Sequence, residues 1–126
     1  MRIGIDIDDT TMITVKSMLK YADIYDVEVL GKSGINGNMG LIQNRYYLKA
    51  LYGWNQEEKM DFFNKYYKNV LEECEFMPGA VDIIKKLKNE GNEIYFITAR
   101  LIGIQNCDTE TITKKSLQVI PYDKLI

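Results

Sequence analysis

The chain has 126 residues, 46% of them hydrophobic and 27% charged, with a formal net charge of −2. That describes one domain large enough to bury a core, without the basic excess of a nucleic-acid binder or the like-charge runs of a solvated tail. No apolar run approaches the roughly 20 residues needed to span a bilayer, and no charged-then-apolar leader precedes the first apolar segment, so a soluble cytoplasmic protein is expected.

The elements follow in chain order. "RIGIDI" (residues 2–7) reads as a short strand, and it runs directly into Asp6, Asp8, Asp9 and two hydroxyls. Residues 12–28 place Val15, Met18, Leu19, Ala22 and Tyr25 at helical spacing. The Gly- and Asn-rich stretch 31–40 is expected as a loop, and residues 41–52 resume a helical pattern that Gly53 ends. Asn55 is placed to cap a third helix whose apolar face is expected from Met60, Phe63, Tyr67, Val70 and Leu71. Beyond residue 75 the pattern becomes a compact helix-then-strand unit. Pro78 lies near the helix start, Ile83, Ile84 and Leu87 are expected to face a core, and Gly91 stops the helix. "EIYFIT" (93–98) is then a buried strand, Asp108 or Thr109 caps a helix running to about Val119, and a further strand begins after Pro121.

Strands separated by helices imply parallel pairing through right-handed crossovers, and such sheets bind ligands at the carboxyl ends of their strands. Asp6, Asp8 and Asp9 end one strand, while Thr98, Ala99 and Arg100 end another. Two polar strand tips therefore converge on one edge, which makes that edge the candidate site. The chain contains no His, which removes Ser-His-Asp and Cys-His catalysis and His-ligated metals. A metal site here must use oxygen ligands, favouring magnesium or calcium over zinc. Cys74 and Cys107 lack paired metal spacing and are expected as reduced thiols.

Other readings stay open at several positions. Asp and Thr are common turn residues after strands, so "DDT" is also read as a plain strand end. Arg100 is read either as a substrate contact or as a surface residue. The aromatic side chains Tyr21, Tyr25, Tyr46, Tyr47, Tyr52 and Trp54 either stack on a nucleobase or pack in a core. "GKS" (31–33) lacks the upstream Gly of a phosphate-binding P-loop, because Asp26 stands there.

"DIDDT" (6–10) resembles the first motif of the haloacid dehalogenase-like hydrolases, Asp-x-Asp-x-Thr after an apolar strand, and "YFITAR" (95–100) resembles their second. The run from Pro78 to Arg100, with "TETITKKSLQVIPYDKLI" after it, is more narrowly similar to the bacterial 5′-nucleotidase branch, near the 5′(3′)-deoxyribonucleotidases. The resemblance implies an α/β fold, a three-layer Rossmann-like parallel sheet with a small helical cap inserted after the first strand. Residues 1–11 and 76–126 would form the core and residues 12–75 the cap. It implies Asp6 as nucleophile and Asp8 as general acid and base. Mg2+ would be held by the Asp6 carboxylate and the Asp8 carbonyl, with phosphate oxygens received by Thr98 and the backbone N–H groups around Ile7, Asp9 and Ala99. Asp9 stands where the family often has Gly and is read as a turn residue rather than a ligand. The substrate implied is a small phosphomonoester, a nucleoside monophosphate in the narrower branch, with no nucleic acid and no membrane as partner.

The family takes a Lys and a further Asp from segments beyond the strand at "KLI", and this sequence does not contain those segments. Lys114, Lys115 and Lys124 lie upstream and do not correspond to that Lys. The last strands of the core are therefore expected to be missing, which leaves a phosphate- or nucleotide-binding pseudoenzyme, or a truncated fragment, as the other reading. The first strand would then be an open edge through which the chain self-associates or takes up a companion segment.

Overall fold

The computed structural model describes residues 1–34 and 47–126. The expected loop 31–40 and helix 41–52 therefore fall in part outside the described residues. Strand β1 (Arg2–Asp6) pairs in parallel with β4 (Glu93–Ile97), in a register running from Arg2 opposite Glu93 to Asp6 opposite Ile97. Strand β5 (Lys124–Leu125) adds to the far side of β4, so the sheet order is β1-β4-β5, with β1 at an edge.

Two crossovers build this sheet. Helix α4 (Ala80–Asn89) leads into β4, and helix α5 (Thr109–Leu117) leads into β5. Right-handed crossovers stepping the same way across a sheet deposit their helices on the same face. That face carries Ile3, Ile5, Ile94 and Phe96, which form one apolar cluster with Ile84 of α4 and Leu117 of α5. The expected contribution of Ile83 to this core is corrected by the structure, where Ile83 is 60% exposed. Ile84 takes the inward position, and Ile83 is rotated about 100° away from it around the helix axis.

The cap segment enters and leaves the core through a short antiparallel pair, β2 (Met12–Ile13) with β3 (Glu75–Phe76). Between them run α1 (Thr14–Ile24), α2 (Tyr47–Tyr52) and α3 (Gln56–Glu72). Residues Tyr25–Val29 extend α1 by a π-helical turn, closed by the Leu30 N–H donating to the Tyr25 carbonyl at 3.1 Å. Asn55 caps α3 as expected, in a reciprocal box. Its side chain accepts from the Glu58 N–H at 2.8 Å, and the Glu58 carboxylate accepts from the Asn55 N–H at 3.0 Å.

The cap has its own core, in which Met18, Leu19, Ala22 and Tyr25 pack against Trp54, Phe62, Tyr67, Val70 and Leu71. Met60 does not join it. That residue is 37% exposed, and Phe62 completes the stripe with Phe63 one turn before Tyr67. Tyr25, Tyr52 and Trp54 are buried in mutual contact, Trp54 edge-on to Tyr25 at 5.0 Å and stacked on Tyr52 at 4.9 Å, which makes them packing residues. Tyr46 and the Tyr47 side chain lie outside the described residues. The Trp54 indole N–H donates to the buried Asp26 at 2.9 Å, and the Gly34 N–H donates to the other oxygen of that carboxylate at 3.0 Å. Among the described residues no helix is long and apolar enough to cross a membrane.

The entry into β5 is fixed by Asp123. Its carboxylate accepts Lys88 Nζ at 2.6 and 2.7 Å and the Ile94 N–H at 2.7 Å. The Lys88 hydrogen bond first, and the Ile94 N–H second, hold this carboxyl below the ordinary carboxylate range. A carboxyl whose folded pKa is depressed stabilises the fold above its unfolded pKa, and that contribution is lost as pH falls through the folded value. Asp123→Asn is therefore expected to melt below the wild type at about pH 7, with the two melting curves converging in strong acid. Thermal denaturation followed by circular dichroism across that range checks it, and a gap that does not change with pH would contradict it.

Candidate active site

The parallel register places the tips of β1 and β4 side by side, since Asp6 is opposite Ile97 and Thr98 follows directly. The chain leaves β1 through a tight turn. The Ile7 carbonyl accepts the N–H groups of Thr11 and Met12, both at 2.9 Å, and the Asp9 N–H donates to the Met12 carbonyl at 2.7 Å. Asp9 has φ of 57°, a left-handed conformation that Asp and Asn tolerate better than most residues and that Gly adopts freely. This turn re-aims the chain after Asp6, which two carboxylates on alternating faces of a strand require if both are to serve one substrate.

Each of the three carboxylates meets a different environment. Asp6 is exposed at the strand tip, and its backbone carbonyl accepts the hydroxyl of buried Thr11 at 2.8 Å. No hydrogen bond or ion pair engages the Asp6 carboxylate among the described residues. Asp9 turns its carboxylate back to accept the Val15 N–H at 2.9 Å, in the first turn of α1, where a negative charge is favourable. Asp8 is half-buried and held from two sides. The Thr14 hydroxyl donates to Oδ1, Arg100 Nε donates to Oδ1 at 3.0 Å and to Oδ2 at 3.3 Å, and Nη2 completes the ion pair 2.9 Å from Oδ1.

The surface reading of Arg100 is corrected by the structure. This residue is not at the surface, because its side chain is 1% exposed. Its guanidinium does not face open space, because Nη1 donates to the buried Thr113 hydroxyl at 3.1 Å and Nη2 lies 3.8 Å from Met12 Sδ. The loop that carries it is ordered by Thr98, whose hydroxyl accepts the Arg100 N–H at 3.0 Å. Asp8, Thr98 and Arg100 are thus brought into one connected network. Ala99 is exposed beside it. The Asp9 N–H, read as a phosphate donor, is engaged by Met12 in this arrangement.

Three residues of this network carried no signal in the sequence. Thr14 and Thr113 are single hydroxyls inside helical patterns, and only their contacts with Asp8 and Arg100 mark them. Tyr67 was legible only as part of an apolar stripe. Its hydroxyl accepts the Leu101 N–H at 3.0 Å, which ties cap helix α3 to the loop after β4. Burial pushes the Tyr67 phenol up to about 12, the Asp8 charge adding to the rise and Arg100 opposing it. It therefore stays protonated at neutral pH. A second tie comes from the Gln105 N–H, which donates to Asn64 Oδ1 at 3.1 Å, and Ile104 is buried in the cap cluster.

The donor set suits a hard cation in kind, since the polar groups at the tip of β1 are carboxylate, hydroxyl and carbonyl oxygens. Among the described residues there is no group of three or more acidic, Cys or His side chains placed to hold a metal ion.

Removing one partner of a buried ion pair leaves the other charge uncompensated, which typically costs about 3–5 kcal/mol. Because the Asp8 side chain is 30% exposed, Asp8→Ala is expected to cost less, about 2–3 kcal/mol in urea denaturation. Adding Arg100→Met to that variant should recover part of the loss, since both charges are then gone. An additive double variant would mean that the pair contributes nothing as a pair.

No protein-family model and no curated protein sequence matches the chain. Solved structures do match its fold. A hydrolase from Streptococcus pneumoniae TIGR4 superposes with a TM-score of 0.65 at 13% identity, covering 99% of this chain and 65% of its own. A predicted phosphatase from Clostridium acetobutylicum gives 0.66 at 14% identity, with 99% and 59% covered. A HAD-superfamily hydrolase of subfamily IA from Geobacter sulfurreducens PCA gives 0.61 at 13% identity, with 99% and 61% covered. The chain thus spans about three-fifths of the length of the structures it matches. Its parallel sheet, with helices between the strands and a helical insertion after the first, shares the fold of these three structures, one of which is a HAD-superfamily hydrolase.

Proposed function

We propose that the chain is a phosphatase-like hydrolase of phosphomonoesters, working through an aspartyl-phosphate. The observation that carries this reading is the division of labour at one sheet end. An exposed carboxylate, Asp6, stands on one strand tip, a clamped carboxylate, Asp8, lies two residues on, and the Thr98 hydroxyl is on the adjacent tip.

In this mechanism an Asp6 carboxylate oxygen attacks phosphorus and the ester oxygen departs. Asp8 delivers a proton to the departing alkoxide, and then takes one from the water that cleaves the acyl phosphate. The Thr98 hydroxyl uses its oxygen to accept the Arg100 N–H and keeps its proton to donate to a phosphate oxygen. The Ile7 and Ala99 amides would assist. The Asp9 amide would do so only by releasing the Met12 carbonyl. The Asp6 carboxylate and the Asp8 backbone carbonyl would hold Mg2+, which supplies positive charge against the repulsion between an anionic nucleophile and a phosphate. A nucleoside monophosphate is the substrate suggested by the narrower resemblance, and a cytoplasmic setting suits the free thiols of Cys74 and Cys107. The open edge of β1 is where a second copy or a companion segment would add a strand.

One observation favours a second reading. Asp8 is already bound by Arg100 and Thr14, as it would be in a phosphate- or nucleotide-binding module where that pair only holds the loop. Hydrolysis of a phosphomonoester with and without Mg2+ separates the two. Magnesium-dependent turnover should fall by about 10³-fold or more in Asp6→Asn, because the nucleophile is removed. Phosphate binding without any Asp6-dependent turnover would establish the binding module instead.

A further inference from the structure

We infer that two copies of this chain pair edge to edge through β1, antiparallel and centred on Gly4, so that Arg2 of each copy stands across from Asp6 of the other. This gives the open edge of β1 one specific occupant, and it stands apart from the phosphatase chemistry. Among the described residues nothing pairs with the outer side of β1. Two contacts fix the direction of its backbone groups. The Met1 carbonyl accepts the Glu93 N–H at 2.8 Å, so strand alternation turns Met1, Ile3 and Ile5 towards β4 and Arg2, Gly4 and Asp6 outward. The Asp6 carbonyl agrees, since it accepts the Thr11 hydroxyl. The outward set is a row of donors and acceptors ready for another strand.

The sequence of that strand is complementary to itself. Read from both ends about Gly4, "RIGID" sets Arg2 against Asp6 and Ile3 against Ile5. In an antiparallel pair centred there, the Gly4 N–H and carbonyl exchange hydrogen bonds with Gly4 of the second copy, and each Asp6 N–H meets an Arg2 carbonyl. Arg2 and Asp6 share one face of the strand, so opposite charges lie directly across from each other, which stabilises a strand pair. A parallel in-register pairing would instead set Arg2 against Arg2. Two-fold symmetry satisfies both Arg2–Asp6 pairs at once. On the other face Ile3 and Ile5 pack against the apolar cluster of the sheet and α4, so the pairing joins the clusters of the two copies. Gly4 puts no side chain at the crossing point, and half-exposed Ile97 covers it, its Cδ1 2.9 Å from where a Cβ would stand. Arg2 is available for the contact, because its ion pair with Glu93 leaves the side chain 76% exposed. Each copy thereby supplies a guanidinium to the other's Asp6, whose carboxylate is otherwise unengaged among the described residues.

An edge of five residues buries little surface, which places the dimer in the micromolar range. Sedimentation equilibrium of the full chain at about 10–200 µM should show monomer and dimer in exchange. Arg2→Asp should be monomeric over that range, because both cross-strand pairs become acid against acid. Asp6→Arg should be monomeric too, with base against base. An equimolar mixture of the two variants restores opposite charges at both ends, so it should dimerise about as tightly as the wild type. Both side chains are exposed, and melting followed by circular dichroism should show both variants folded. Should Asp6→Arg not fold, Arg2→Gln carries the test beside Arg2→Asp, weakening the dimer where Arg2→Asp abolishes it. A wild-type chain that stays monomeric throughout overturns the pairing and leaves the edge to a companion segment of different sequence. A dimer that survives the charge changes overturns it as well, since its interface then lies elsewhere, as does a mixture of folded variants that stays monomeric. These outcomes are read as mass, so they are distinct from the presence or absence of Asp6-dependent hydrolysis.

Discussion

A guanidinium cannot be left in a protein interior without compensation, and Arg100 is fully enclosed. Its compensating charge, Asp8, comes from the turn after β1, whereas Arg100 comes from the loop after β4. The ion pair therefore joins the two strand tips at the place where the parallel ladder ends. Backbone pairing aligns β1 with β4 only as far as Asp6 and Ile97. Beyond that point the chains diverge into a turn and a loop, and side-chain contacts have to hold them. Thr113 fixes the guanidinium from α5, and Thr14 fixes the carboxylate at the start of α1. Elements of the core and of the cap segment thus meet through one charge pair.

The same region joins the cap to the core. Tyr67 and Asn64 on α3 receive backbone N–H groups from the loop that follows Arg100, and Ile104 of that loop is buried in the cap's aromatic cluster. Movement of α3 relative to the sheet would have to break these contacts or carry the loop along. The antiparallel pair β2–β3 makes the other junction, and the Met77 N–H donates to the Thr11 carbonyl at 2.7 Å beside it. Cap position and the setting of Arg100 are in this way mechanically connected. A change in the cap reaches the carboxylate that Arg100 holds through a few hydrogen bonds and one ion pair.

Much of the fold was legible because its signals are local and repeated. Short apolar strands alternate with amphipathic helices, and Asn55 and Asp108 announce helix starts that the structure places there. Periodicity was less reliable at the margin of a stripe. Ile83 and Met60 are apolar residues one or two positions away from the inward-facing set, and a helix of fixed pitch turns them out. The two-residue strands β2 and β3 are too short to show any period. At the site, the clustering of Asp6, Asp8 and Thr98 at converging strand ends could be read from order alone. The burial of Arg100 could not, since Arg is mostly exposed unless paired, and its partner lies 92 positions away in the sequence. Tyr67 was hidden by its own packing, because an aromatic residue at stripe spacing looks the same whether or not its hydroxyl does anything.

The charge in "DIDDT" has a physical resolution that depends on these contacts. Three carboxylates within four residues repel one another, and each must find positive charge or water. Asp9 finds the amino end of α1 through the Val15 N–H. Asp8 finds Arg100 and Thr14. Asp6 is the one whose carboxylate no hydrogen bond or ion pair engages among the described residues, with its backbone carbonyl fixed by Thr11. Environment thus separates three chemically identical groups into a turn residue, an oriented carboxyl and a carboxylate still able to bind a cation or attack an electrophile. A strand end that needed only to turn the chain could use Asp9 alone. Pairing an enclosed arginine with Asp8 while leaving Asp6 exposed two residues away makes sense if the two carboxylates serve different steps on one substrate.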